Sequence, residues 1–341
     1  MTPALHWGVI GTGGIAADFC QALNHSTQCV VVNVAGSSPA KARDFAGRFA
    51  IPRWSDGLAT LLDDPRVEAI YVATPHHLHE EHAMAAIAAG RHVLCEKPLT
   101  LEERSAGRVI AAARRRGVFL MEAFMYRCHP LLRELLVRLE DGVIGPVRHV
   151  RADFGFRAPR SPGHRLFSPA LGGGSILDVG GYPVSFARLI AGVVERAPFA
   201  EPVALTASGL LGPTGVDELA TAHLTFASGF TASVTSAVSY DVGMSAIVFG
   251  DRGRVVLPNP WIPNGGRQSL EAEFTVHVEG REPETVTIRT DMPTYGIEAE
   301  YVARTLPAIE PKWPAMSWAD TLGNLRVMDG WRASLRAQAQ L

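Results

Sequence analysis

The chain has 341 residues, which at ~150 residues per domain points to two domains. Hydrophobic residues make up 47% and charged residues 19%, the balance of a chain that buries a core and not of a disordered one. The formal net charge of −2 offers no basic surplus to a nucleic-acid backbone, and no apolar run of the ~18 residues needed to span a membrane stands out.

The N-terminal stretch carries no Lys or Arg before its apolar run and reads as a first strand, not a signal peptide. Strands are expected over 6–10, 29–35, 69–73, 92–95 and 118–122, with helices over 15–24, 40–49, 58–62, 79–89 and 101–116. This alternation implies βαβ crossovers and a parallel, doubly wound sheet, and the nearly all-apolar strands suit helices on both faces. Arg114, Arg115 and Arg116 close the last of these helices ahead of Gly117, where they offset the negative helix end.

Past residue 122 the pattern changes. A helix over 131–140 and a strand over 147–154 precede a Pro-, Arg- and Gly-rich loop over 157–174 and a helix over 176–191. Strands are then expected over 203–211, 218–226, 231–239, 245–249, 254–257, 273–278 and 285–289. Turns at Ala227-Ser228-Gly229 and Gly250-Asp251-Arg252-Gly253 suit antiparallel hairpins. Helices over 297–306 and 318–338 end the chain. The expected fold is α/β: a nucleotide-type domain over 1–122 and a mixed α+β domain over 123–341, whose last helix can pack back on the first. Cys20, Cys29, Cys95 and Cys128 stand apart with no C-x-x-C pair, as reduced core thiols of a cytoplasmic protein do.

Gly11-Thr12-Gly13-Gly14-Ile15-Ala16 follows the first strand and opens the first helix as G-x-G-x-x-A. Gly11 permits the tight turn, Gly13 admits a pyrophosphate to the backbone, and the helix N-terminus supplies N–H donors to it. An NAD site places an acid at the end of the second strand to hold the ribose hydroxyls. Here that stretch reads Gly36-Ser37-Ser38-Pro39-Ala40-Lys41, and the first acid, Asp44, lies inside the next helix. With no carboxylate to repel a 2′-phosphate, and with Ser37, Ser38 and Lys41 at hand, NADP is favoured over NAD. The run His76-His77-Leu78-His79-Glu80-Glu81-His82 misses the spacing of zinc-binding helices and is expected to be a strand-to-helix turn under the cofactor, not a metal site.

Cys95-Glu96-Lys97-Pro98-Leu99 ends another parallel strand, where open α/β sheets bind ligands. Together with the glycine loop and Ala73-Thr74-Pro75 followed by His79, it resembles the Gfo/Idh/MocA oxidoreductase family. Met121-Glu122-Ala123-Phe124-Met125-Tyr126-Arg127 and the run from Gly172 through Asp178-Val179-Gly180-Gly181-Tyr182 resemble the branch of glucose–fructose oxidoreductase and dimeric dihydrodiol dehydrogenase. The likeness covers nearly the whole chain. It implies a Rossmann domain followed by a domain with an open, mainly antiparallel sheet that often forms a dimer interface. It further implies Lys97 and Tyr182 beside the nicotinamide, with Thr74, Pro75, His76, His79 and Glu96 around the cofactor and Lys41 near the adenosine phosphate. Many inositol-dehydrogenase-like members carry histidine where this chain has Tyr182, which moves it away from inositol substrates.

The chemistry agrees. Hydride transfer to a carbonyl leaves an oxyanion that needs a proton or a strong donor, and an ammonium beside a phenol lowers the phenol pKa. Asp178 stands four residues before Tyr182 and can orient Tyr182 or Lys97, bind a substrate hydroxyl, or simply charge a helix start. Arg127, His129, Phe154, Phe156 and Arg165 are candidates for the substrate pocket, each with an equal structural alternative. The expected protein is a cytoplasmic, homo-oligomeric NADP(H)-dependent oxidoreductase acting on the CH–OH or C=O carbon of a sugar, polyol or cyclic dihydrodiol. The alternatives are a redox-neutral NAD-dependent glycosidase on the same fold and a non-enzymatic dinucleotide sensor.

Overall fold

The two hydrophobic periodicities of the chain build two sheets. The computed structural model describes residues 3–161, 163–263 and 268–338. The first sheet contains β1 (Leu5–Ile10), β2 (Cys29–Ala35), β3 (Trp54–Ser55), β4 (Ala69–Val72), β5 (His92–Glu96) and β6 (Leu120–Ala123). All its pairings are parallel, in the order β3-β2-β1-β4-β5-β6. Helices α1 (Gly14–Leu23), α2 (Pro39–Arg48), α3 (Leu58–Leu62), α4 (His79–Ala88) and α5 (Glu103–Arg116) make the crossovers. Strand order reverses at β1/β4, and a crevice opens beyond the strand ends at such a point. Gly117 ends α5 in the left-handed region at φ +70°, accepting the stop that the sequence offered. The short β3 is an addition to the expected elements.

The second sheet holds β7 (Val147–Arg157), β8 (Pro202–Leu211), β9 (Asp217–Phe226), β10 (Thr231–Ala237), β11 (Ser239–Gly250), β12 (Gly253–Leu257), β13 (Glu271–Val278) and β14 (Glu284–Arg289). Its order is β14-β13-β12-β11-β7-β10-β9-β8, antiparallel except for the β7–β10 pair. One face, including Val150, Ala152, Leu224, Val234 and Val248, is buried under α7 (Gly181–Glu195), which packs on β7 and β10. The opposite face carries Arg151, Thr221, His223, Thr225 and Ser233 and is open. Two strands run longer than their alternation suggested. β7 continues to Arg157, and β11 starts at Ser239, with its register broken between Ser239 and Gly243, where Gly243 takes φ +81°.

Three further helices tie the halves together. α6 (Pro130–Glu140) leads into β7, α8 (Thr294–Thr305) packs on α1, and α9 (Trp318–Gln338) packs on α5, α7 and β8. Tyr295, Ala299 and Val302 of α8 join Trp7, Phe19 and Tyr71 in one core, where burying a side chain such as Phe19 contributes about 1.5–3 kcal/mol. The stretch Pro169–Glu195 is in fact long and apolar enough to cross a membrane, but 94% of its apolar 18-residue window is buried in the fold, so its apolarity serves the core. Cys20, Cys29 and Cys95 are buried and Cys128 half-buried, and all four are free thiols. Burial pushes the Cys20 thiol up to about 12, so it stays protonated at neutral pH.

Candidate active site

A cleft of about 990 Å³ lies beyond the carboxyl ends of β1, β4 and β5, and the second sheet and α7 form its far wall. Its near wall is largely backbone. Gly11 turns at φ +116°, and a Cβ there would stand 2.5 Å from the carbonyl oxygen of Ala73, so only glycine fits without displacement. At Gly13 and Gly14 a Cβ would meet nothing within 4 Å, so these glycines form a bare floor. α1 starts there with no side-chain cap and no acid in its first turn. Its N–H donors and positive end therefore face the cleft uncompensated, the arrangement that binds a pyrophosphate.

At the end of β2, Ser37 and Lys41 line the cleft, and Lys41 Nζ donates to Ser37 Oγ at 3.1 Å. Ser38 does not line it. Its hydroxyl accepts from the Lys41 amide at 3.4 Å and caps α2, which leaves its O–H free to donate. Asp44 and Arg48 follow Lys41 at helical spacing on one face of α2 and reach the same wall; Arg48 was missed, and Asp44, expected to lie aside inside the helix, brings a carboxylate to it.

Thr74, Pro75, His76 and His79 all line the cleft beyond β4. His79 bridges two strand ends, with Nδ1 2.7 Å from the Pro98 carbonyl and Nε2 2.7 Å from that of Thr74. Burial outweighs both acceptors and pushes its pKa down to about 4. His76 sits with Nδ1 3.1 Å from the Gly172 carbonyl, and burial lowers its pKa to about 3. His82, which the sequence did not single out for the cleft, lines it with Nδ1 3.0 Å from Thr74 Oγ1. Both nitrogens of His79 face backbone carbonyls, and the neutral ring donates its one N–H to one of them.

Lys97 and Tyr182, 85 positions apart in the chain, meet on the cleft floor. Lys97 Nζ lies 5.2 Å from the centroid of the Tyr182 ring and donates to the main-chain carbonyl of Asp178 at 2.7 Å. The Lys97–Pro98 peptide is cis. The Asp178 carboxylate points elsewhere, accepting from Arg165 at 2.8 Å and lying 3.7 Å from His76 Nε2. Burial works against its charge, but Lys97, Arg165 and His76 outweigh it and hold the pKa below the usual carboxylate value. Glu96 also lines the cleft and accepts from the Tyr71 hydroxyl at 2.6 Å.

The Tyr182 ring is packed against Phe124 and Phe154, with centroids 5.1 and 5.2 Å away. Its environment reverses one expectation. Burial, followed by the charges of Glu96 and its neighbours, pushes the phenol pKa well above 10 in spite of the ammonium, so the hydroxyl holds its proton.

Phe154, Phe156 and Arg165 line the far wall with Ile262 and Tyr295, two residues whose sequence surroundings carried no signal. Arg127 and His129 do not reach the cleft, which corrects their candidacy. Arg127 is 1% exposed and donates to the Pro314 carbonyl and to Asp320, both from the end of the chain. His129 caps α6, its Nδ1 accepting from the Leu131 amide at 3.1 Å.

The model of the "Oxidoreductase family, NAD-binding Rossmann fold" matches residues 5–124, and that of the "GFO/IDH/MocA C-terminal domain" matches residues 132–256. The chain belongs to the GFO/IDH/MocA oxidoreductase family. It is an NAD(P)-dependent oxidoreductase. Among relatives in the family, the trans-1,2-dihydrobenzene-1,2-diol dehydrogenase of Mus musculus is 35% identical over 82% of each chain. That of Xenopus tropicalis is 32% identical over 96% of each. A 3-ketoreductase from Actinomadura kijaniata, crystallised with NADP and TDP-benzene, superposes with a TM-score of 0.84 at 28% identity, covering 97% of this chain and 98% of its own. An aldose-aldose oxidoreductase from Caulobacter crescentus, complexed with glycerol, gives a TM-score of 0.85 at 25% identity over 98% of each chain. The bare glycine floor and the uncapped start of α1 fit the dinucleotide of such enzymes.

Proposed function

We propose that the protein is an NADP(H)-dependent oxidoreductase interconverting a secondary alcohol and a carbonyl on a sugar, polyol or cyclic dihydrodiol. The observation that carries this reading is the Lys97 ammonium 5.2 Å from the Tyr182 ring, beside a dinucleotide-sized cleft with a glycine floor. The relatives named as dihydrodiol dehydrogenases and the 3-ketoreductase neighbour support the same range of substrates.

The glycine loop, Thr12 and Ile15 hold the pyrophosphate, while Thr74, Pro75, His76, His79 and Glu96 shape the nicotinamide end of the cleft. Lys41, Ser37 and Arg48 favour a 2′-phosphate at the adenosine end. The bound nicotinamide supplies or accepts the hydride. Tyr182 keeps its proton in the buried site and donates it to the substrate oxygen as negative charge develops there. Lys97 is a second donor to that oxygen and stabilises the same charge. Asp178, neutralised by Arg165, orients this pair through its backbone and gives a neighbouring hydroxyl an acceptor. Phe154 and Phe156 wall the ring of the substrate.

The same reading assigns cofactor binding to residues 1–122 and substrate binding to 123–341. It takes the open face of the second sheet as a homodimer interface, and a cytoplasmic location suits the four free thiols. Fluorescence titration with NADPH and NADH, followed by a dehydrogenation screen of sugars, polyols and dihydrodiols, tests it. Net NADP reduction by one of these substrates is expected. Sugar release without net absorbance change would favour a redox-neutral glycosidase instead.

A further inference from the structure

The seat of the Lys97 ammonium is a carbonyl that the sequence of its own turn leaves open. Ile176–Gly180 forms a single π-turn, and α7 takes over at Gly181. In a π-turn each carbonyl bonds the N–H five residues on, and in an α-helix the one four on. The change of register therefore leaves the turn one donor short. Pro183 removes another. It has no N–H, and it stands five residues after Asp178, where the carbonyl of a π-turn finds its donor, while the Val179 carbonyl accepts from the Gly181 amide. Asp178 is 4% exposed, so water is a poor substitute, and buried carbonyls are nearly always paired. Lys97 Nζ supplies the partner of Asp178 at 2.7 Å.

We propose that Pro183 is a positioning residue: by withholding an N–H from the π-turn, it reserves the main-chain carbonyl of Asp178 for the Lys97 ammonium and so fixes that ammonium beside Tyr182. The inference rests on the reading of Lys97 as the cation of the site, but its test needs no turnover.

The chain has three lysines, and Lys41 and Lys312 are exposed, so they serve as references within the same molecule. The folded protein is acylated with trace acetic anhydride, and each lysine is quantified by peptide mass spectrometry. In the native chain Lys97 is expected to react about fivefold or more slowly than the other two, because it is half-buried and its Nζ is seated on the Asp178 carbonyl, out of easy reach of the reagent. In Pro183→Ala, whose new N–H competes for the carbonyl, the Lys97 rate is expected to rise severalfold while NADPH still quenches tryptophan fluorescence with unchanged affinity. Pro183→Ser repeats the test with a second residue that restores the N–H. Native Lys97 reacting as fast as Lys41 and Lys312 overturns the proposal, whatever the variants do. So does a folded variant with native Lys97 reactivity. A shifted Lys97 rate combined with full turnover in Lys97→Ala would instead leave the seat intact and remove the catalytic reading.

Discussion

The two walls of the cleft are built on different principles. The near wall is backbone: a glycine turn, a bare helix start and strand ends contributed by one continuous stretch of chain. The far wall is side chain: Tyr182, Phe154, Phe156, Arg165 and Ile262 come from a helix, a strand and loops spread over more than a hundred positions. Dinucleotides share a pyrophosphate, so their wall needs only N–H groups and room. A substrate is recognised by shape, so its wall is assembled from whatever the tertiary fold brings to it.

The largest effect that would separate the walls is on chemistry. Lys97→Ala and Tyr182→Phe are each expected to lower turnover by ~10²–10⁴ while NADPH affinity stays within about twofold. Single-turnover rates and fluorescence titration measure the two quantities, and a parallel collapse of cofactor affinity would merge the walls into one.

Next in size is the glycine floor, where fold and cofactor can be uncoupled. Gly13→Val, whose side chain starts in open space, should weaken NADPH binding by at least ~10-fold with the melting temperature unchanged. Gly11→Ala meets a carbonyl at 2.5 Å with φ +116° and should lower stability by about 1–3 kcal/mol. Equal melting temperatures for the two variants would contradict this division.

Smaller again is the adenosine end. Lys41→Ala should reduce the preference for NADPH over NADH about tenfold, the scale of one lost hydrogen bond to a charged group. An unchanged ratio of the two Kd values would shift the assignment to Arg48.

Outside the cleft altogether is His129, which supports α6. Burial lowers its pKa from 6.5 to about 4, and its Nδ1 must stay unprotonated to accept the Leu131 amide. The unfolded chain thus binds a proton that the folded chain refuses. The contribution of His129 to stability is complete above pH 6.5 and is lost as pH falls toward 4, with a slope of at most ~1.4 kcal/mol per pH unit. His129→Asn retains a capping side chain and should flatten that part of the profile in urea melts across this range.

Much of this was legible in the order of residues. The strand–helix alternation, the G-x-G-x-x-A turn, the Gly117 stop and the Glu96-Lys97-Pro98 strand end are local patterns whose physics acts within a few residues. The misreadings share one cause. Arg127 resembled a pocket cation because its partner, Asp320, lies 193 positions away. His129 resembled a pocket residue because a helix-capping imidazole and one that faces a ligand look alike until the helix start is fixed. The phenol pKa of Tyr182 was expected to fall beside Lys97, because a neighbouring charge can be read from a motif whereas the depth of burial cannot.

The sequence by itself determined where a dinucleotide can lie, since a turn, a helix start and the absence of a side chain are properties of adjacent residues. Only the tertiary structure decided that the Lys97 ammonium rests on the backbone of Asp178 and that the Tyr182 proton is retained. Those outcomes depend on desolvation and on donors left unpaired, which arise only when distant segments pack together and exclude water.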